Sequence, residues 1–194
     1  MVTGMLGNLP VFANIIPKDY IVTRGFGDTN IGSGNKFPWK TGSFDMALVM
    51  AKVEKFNLLK YSSVLPPEAT EISIEAARNL YNTGAVMGTI MARADGYRGE
   101  RICAGIGRIQ VRRIDGIHIG GYVAEYIGNG DEQEAKKSLH TSLMGIVSRR
   151  YSPGEYVVFD EKFCIQEHQV KNKYGTAIVL IGFLSNVYPL LGCY

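Results

Sequence analysis

The chain has little of what usually announces a function. Its three cysteines, Cys103, Cys164 and Cys193, are far apart and form no C-x-x-C pair. That argues against a disulfide framework or a cysteine-based zinc site and favours a reducing compartment, the cytoplasm. Basic charge is sparse: the net charge is +3 over 194 residues, with no cluster beyond pairs such as Arg112-Arg113 and Arg149-Arg150. Such pairs read as solvated surface, so nucleic acid is not an expected partner. No hydrophobic run reaches the roughly 18 residues that span a bilayer. The first stretch, MVTGMLGNLPVFANIIP, lacks a basic leader and is broken by Pro10 and Asn14, so neither a signal peptide nor a membrane partner is expected. His118, His140 and His168 are scattered, and no G-x-S-x-G elbow occurs, so no bound metal and no ready-made triad are expected.

What is present is an ordinary globular composition, 46% hydrophobic and 20% charged, in a length that suits one domain. Residues 1–18 read as an arm packed on the domain or on a neighbouring subunit, and 19–194 as the domain itself. Strands are expected at 19–27, 57–65, 84–95, 101–114, 117–128, 155–168 and 174–187, with a hairpin turn at Asp115-Gly116. Helices are expected at 43–56, capped by Ser43, at 131–150, and briefly at 73–81. Between 28 and 42 the chain is loop. Its glycines do not complete a phosphate loop, because Ser33 follows Gly32 where Lys-Ser/Thr would be required, nor a dinucleotide fingerprint, because Asn30 stands where a glycine would. The expected fold is α+β: an αββα-type sandwich of mainly antiparallel strands with packed helices.

One stretch holds possible chemistry. In KYSSVLPPEA, residues 60–69, a Ser62-Ser63 pair sits at a strand end before Pro66 and Pro67, which cannot donate to a ladder. The dipeptide can be a simple turn. It can also break itself. Ser63 Oγ attacks the Ser62 carbonyl carbon and the amide becomes an ester. β-Elimination then leaves dehydroalanine, which hydrolyses to a pyruvoyl group and ammonia. The new carbonyl is a covalent electron sink for an amine substrate.

The segment FNLLKYSSVLPPEA (56–69), with FDMAL (44–48) before it and GGYVAEY (120–126) after it, resembles the pyruvoyl-dependent arginine decarboxylase family. The likeness runs from about Asp19 to Phe183 and is most specific between Asn57 and Glu68. It implies cleavage between Ser62 and Ser63, a pyruvoyl cofactor made from Ser63, and conversion of L-arginine to agmatine and carbon dioxide. It also implies a homotrimer of processed protomers with active sites between neighbours. Asn57, six residues before Ser63, matches the residue that assists self-processing, where an amide donor can stabilise an oxyanion; it can also be a helix C-terminal residue in the left-handed region. Asp45 matches the acid that recognises the guanidinium through two parallel hydrogen bonds, although a first-turn acid also serves its own helix. Glu125 matches the proton donor. Strand alternation puts it on the Val123 face, away from Ala124 and Tyr126, in apolar surroundings that favour its protonated form. A structural ion pair with Arg or Lys is the alternative. Leu48 lines the substrate's methylene path or the core. Two other readings stay open: a pyruvoyl decarboxylase of histidine, ornithine or lysine, and an unprocessed, non-catalytic trimeric protein that binds a cationic amine.

Overall fold

The computed structural model describes residues 14–32, 39 and 41–188. The strands are β1 (Ile16–Pro17), β2 (Asp19–Thr29), β3 (Asn57–Lys60), β4 (Val64–Leu65), β5 (Thr70–Glu71), β6 (Val86–Tyr97), β7 (Arg101–Arg113), β8 (His118–Gly128), β9 (Tyr156–Gln169), β10 (Tyr174–Phe183) and β11 (Asn186–Val187). The helices are α1 (Ser43–Met50), α2 (Ile74–Ala77), which runs into a 3-10 turn at Arg78–Leu80, and α3 (Glu132–Arg150). The described residues are therefore mixed α+β and dominated by strands, more of them than the seven expected.

Two open sheets carry the fold. One has the order β3-β6-β10-β2-β5 and the other β4-β8-β7-β9. Pairing is antiparallel except for β3 with β6 and β2 with β5. The alternation of each strand divides the apolar residues into three cores. Tyr20, Ile90, Val179, Ile181 and Phe183 of the first sheet meet Leu65, Ile106 and Val123 of the second. On the far face of the first sheet, Ile21, Ile178 and Leu180 pack against Ala47, Ala51 and Ala77. On the far face of the second, Cys103, Ile109 and Ala124 pack against Ala135, Leu139 and Leu143 of α3. Burial of this kind contributes about 25 cal/mol per Å² of apolar surface.

Three elements depart from expectation, each for a local reason. Helix α1 stops at Met50 and does not continue to residue 56. Lys52 turns left-handed (φ 60°), and Val53 N–H bonds Leu48 O at 3.0 Å while Lys52 N–H bonds Val49 O at 3.0 Å. That is a Schellman stop, clinched by Val53 entering the core at 0% exposure. Ser43 does not cap this helix. It is the first helical residue, and its buried hydroxyl bonds Thr176 Oγ1 at 2.8 Å across to β10. The strand expected over 57–65 is two strands in two sheets, with the chain crossing from one to the other at Tyr61–Ser63. The strand expected to reach 187 breaks after Phe183, and Asn186–Val187 pairs instead with Ile16–Pro17 of the arm. Residues 1–13 of that arm lie outside the described residues.

Candidate active site

Ser62 and Ser63 occupy the crossing. On the upstream side, Lys60 pairs with Thr89 in the five-stranded sheet and Tyr61 N–H bonds Thr89 O at 2.7 Å. On the downstream side, Val123 N–H donates to Ser63 O at 3.0 Å, and Val64 and Leu65 pair with Tyr122 and Gly121 in the four-stranded sheet. Pro66 ends the ladder, and Ala69 N–H returns to Pro66 O at 3.1 Å. The bond between the two serines thus links two separately anchored strands. Ser62 is exposed and Ser63 half-buried in a bend. A cleft of about 500 Å³ opens here, with Ile16, Pro17, Lys60, Tyr61, Ser62 and Val64 among its lining.

Glu125 joins this site through strand register. Ser63 faces Val123 across the β4–β8 pair, and Glu125 is two residues further along β8, on the Val123 face. Diagonal neighbours of this kind have Cα atoms about 7–8 Å apart. The expected face is the observed one: Val123 is in the inter-sheet core, whereas Tyr122, Ala124 and Tyr126 pack toward α3. The Glu125 side chain is 21% exposed, and Lys60 Nζ approaches its Oε2 to 3.7 Å. Lys60 was missed in the sequence because a lone lysine on a strand reads as solvated, and it does stand 73% exposed.

The other expected site residues are not brought to Ser63 within one chain. Asn57 begins β3, exposed, with its Nδ2 donating to Gly84 O at 2.8 Å and its N–H to Ala85 O at 2.8 Å. Strand rise alone puts it about 10 Å from Lys60. Asp45 is exposed in the first turn of α1, on the far face of the five-stranded sheet from the inter-sheet core. Leu48, half-buried, packs into the core beneath that helix. α1 is seated very closely there: a Cβ at Gly25 would fall 2.3 Å from Ala47 O and one at Gly27 2.1 Å from Ser43 O.

The histidines serve other contacts. His118 Nε2 is 2.9 Å from Gln110 Oε1, and His140 Nδ1 is 2.9 Å from Glu161. His168 Nε2 lies 2.8 Å from Asp28 Oδ2 and stacks on Phe26 at 4.2 Å. Despite that approach, His168 Nε2 is buried without a hydrogen bond. Burial pushes the Cys103 thiol up to about 11, which makes it an inert core residue. Among the described residues, no three His, Cys, Asp or Glu side chains converge to hold a metal ion. Nor is any helix there long and apolar enough to cross a membrane.

The crossing suits a ketoacyl group in place of Ser63. Such a group consists of the serine's own Cα, Cβ and carbonyl carbons, so it needs no more room than the half-buried side chain already has. Its carbonyl end keeps the bond from Val123 N–H.

Comparison with known proteins agrees with this geometry. A family model described as pyruvoyl-dependent arginine decarboxylase matches residues 19–187. The chain is 31% identical over 180 residues to the pyruvoyl-dependent arginine decarboxylase AaxB of Chlamydia caviae, covering 84% of this chain and 88% of the relative. Similarity to the Chlamydia pneumoniae protein of the same name is 32% over 178 residues, with the same coverage. An Archaeoglobus fulgidus protein, pyruvoyl-dependent arginine decarboxylase 2, is 32% identical over 127 residues, 63% of this chain and 74% of its own.

Proposed function

The chain belongs to the pyruvoyl-dependent arginine decarboxylase family, and on that premise we propose that it cuts itself between Ser62 and Ser63 and converts L-arginine to agmatine and carbon dioxide. It is a carbon–carbon lyase whose cofactor is a covalent pyruvoyl group formed from Ser63. The observation that carries the reading is the crossing itself: the scissile bond lies between Tyr61, tied to one sheet, and Ser63, tied to the other.

Processing is chemistry of the chain's own atoms. Ser63 Oγ adds to the Ser62 carbonyl carbon, the bond from that carbon to Ser63 N breaks, and the freed nitrogen takes the hydroxyl proton. Loss of the Ser63 Cα proton with scission of Cβ–Oγ releases Ser62 as a carboxylate. The enamine so left shifts a proton from nitrogen to Cβ, giving an imine, and water then replaces the nitrogen, which departs as ammonia. The pyruvoyl carbonyl supplies an electron sink for decarboxylation of an amine-bearing carbon.

Glu125, diagonal to Ser63, gives a proton to the substrate's α-carbon. Asp45 holds the guanidinium in a bidentate pair, Leu48 lines the methylene path, and Asn57 supports the oxyanion of processing. Since one copy leaves Asp45, Leu48 and Asn57 away from Ser63, they reach the site from a neighbour in a homotrimer. Exposed apolar side chains support that assembly: Met46, Val49 and Met50 on α1, Leu59 on β3, and Val64 and Ile15 beside the crossing. In this reading the protomer is a four-layer αββα sandwich formed by residues 19–194, with 1–18 as an arm, and it works in the cytoplasm without nucleic acid or membrane.

Intact mass tests the proposal. The purified protein is expected as two fragments, one ending at Ser62 and one beginning with a blocked residue 63, and it should release agmatine from arginine in preference to products from lysine, ornithine or histidine. Ser63→Ala is expected to stay full length. Cleavage of that variant would overturn the mechanism, and a full-length parent would make the chain a binding protein.

A further inference from the structure

Cleavage turns residue 63 into a chain end at the place where the reaction occurs, and chain ends fray unless they are tied down. The local ties are few. β4 offers two paired residues and the Ser63 carbonyl bond, and Pro66 and Pro67 have no N–H to give. The next backbone bonds to a neighbouring strand are those of Thr70 and Ile72 N–H to Lys18 O and Tyr20 O. Before cleavage, the covalent link to β3 fixes the segment from above. Afterwards it must be held from below.

A buried side-chain cluster stands below. Arg108 on β7 is 7% exposed and faces the space between the sheets. Its Nη1 donates to the Tyr20 hydroxyl and its Nη2 to Glu71 Oε2 at 2.5 Å. Glu71 lies in β5, eight residues beyond the new chain end, and Lys162 Nζ adds a longer approach at 3.9 Å. The register is informative. Arg108 pairs with Val123 on one side and Lys162 on the other, and Val123 is the residue whose N–H holds Ser63 O. One row across the sheet thus runs Ser63, Val123, Arg108, Lys162. A cleft of about 430 Å³ opens beside Arg108 and Glu71. An arginine buried this deeply is costly without its carboxylate, so Arg108 requires Glu71.

We propose that Arg108, with Tyr20 and Glu71, is a positioning clamp that holds residues 63–71 after self-cleavage and keeps the new chain end opposite Val123 and diagonal to Glu125. The clamp rests on the cleavage proposed above.

Hydrogen–deuterium exchange of the 64–71 amides tests it, in processed protein and in the uncleaved Ser63→Ala background. In processed protein, Glu71→Gln is expected to speed exchange by about tenfold or more. In the Ser63→Ala background, where the tether to β3 persists, the same change should stay within about twofold. Turnover of arginine by processed Glu71→Gln should fall about tenfold with KM nearly constant, and Glu71→Asp should recover most of it. Arg108→Met is the second variant should Glu71→Gln not fold; it leaves a carboxylate that is 38% exposed and can hydrate, and it is read by the same criteria. Equal exchange in parent and variant, or equal acceleration in both backgrounds, overturns the clamp and leaves the cleavage reading intact. A full-length parent by mass overturns the cleavage reading first and the clamp with it.

Discussion

Glu125 has two neighbours with different consequences. It shares a face with Ser63 across the β4–β8 register, and its carboxylate lies 3.7 Å from the ammonium of Lys60. Glu125→Gln keeps the shape and the hydrogen-bonding capacity but gives up no proton. The variant is expected to cleave normally and to lose about 10²–10⁴ in turnover, the usual worth of a positioned acid. An agmatine assay on protein whose cleavage has been verified by mass checks this, and normal turnover would reassign Glu125 to the ion pair. At this scale the sequence was readable where the signal is local. Two adjacent serines before two prolines single out the stretch with self-cleaving chemistry, and simple alternation puts Glu125 on the Val123 face. It was unreadable where partners are distant. The Lys60 pair needs β3 and β8 brought together, and Ser43 turns from its own helix to Thr176, 133 residues away. The Arg108–Glu71 pair likewise spans 37 residues and two sheets.

Among the elements, the seating of α1 decides where Asp45 points. Gly25 and Gly27, one strand period apart on β2, let the helix backbone lie directly on the sheet. Their spacing was visible, but its purpose was not: a G-x-G pair suggests a nucleotide loop as readily as a helix seat. Gly27→Ala puts a methyl against Ser43 O, with backbone on both sides and little to yield. We expect a loss of about 1–3 kcal/mol in denaturant-midpoint measurements, typical of overpacking, with arginine KM raised as α1 shifts. An unchanged midpoint would mean the helix is free to lift. The early end of α1 and the break at Tyr61 were also hidden, because both are set by the cores that Val53 and Leu65 enter and not by local propensity.

For the whole molecule, the question is whether one site is assembled from two copies. Asp45→Asn and Glu125→Gln should each be nearly inactive alone. Equal mixing of their subunits before assembly should restore about a quarter of parental activity, since a quarter of the interfaces then pair an intact Glu125 with an intact Asp45. Co-expression at equal levels, purification through a tag common to both subunits so that all trimers are kept, and an agmatine assay would measure this. A mixture no better than its parts would place each site within one chain. No periodicity or composition could have revealed this scale, because nothing in a strand pattern says which edge meets another molecule.

With the proposed cut between Ser62 and Ser63, the crossing also gives the protein a direction in time. The piece ending at Ser62 carries β2, α1 and β3, and β2 lies between β10 and β5, both of which belong to the other piece. An uncut chain brings these partners together at the high effective concentration of a tether, at a loop-closure cost that grows only slowly with length. Once cut, the same encounter is bimolecular and carries the full translational cost of association. The molecule therefore has to fold first and cut second. After maturation its persistence depends on how slowly it comes apart, because the return path has become dependent on concentration.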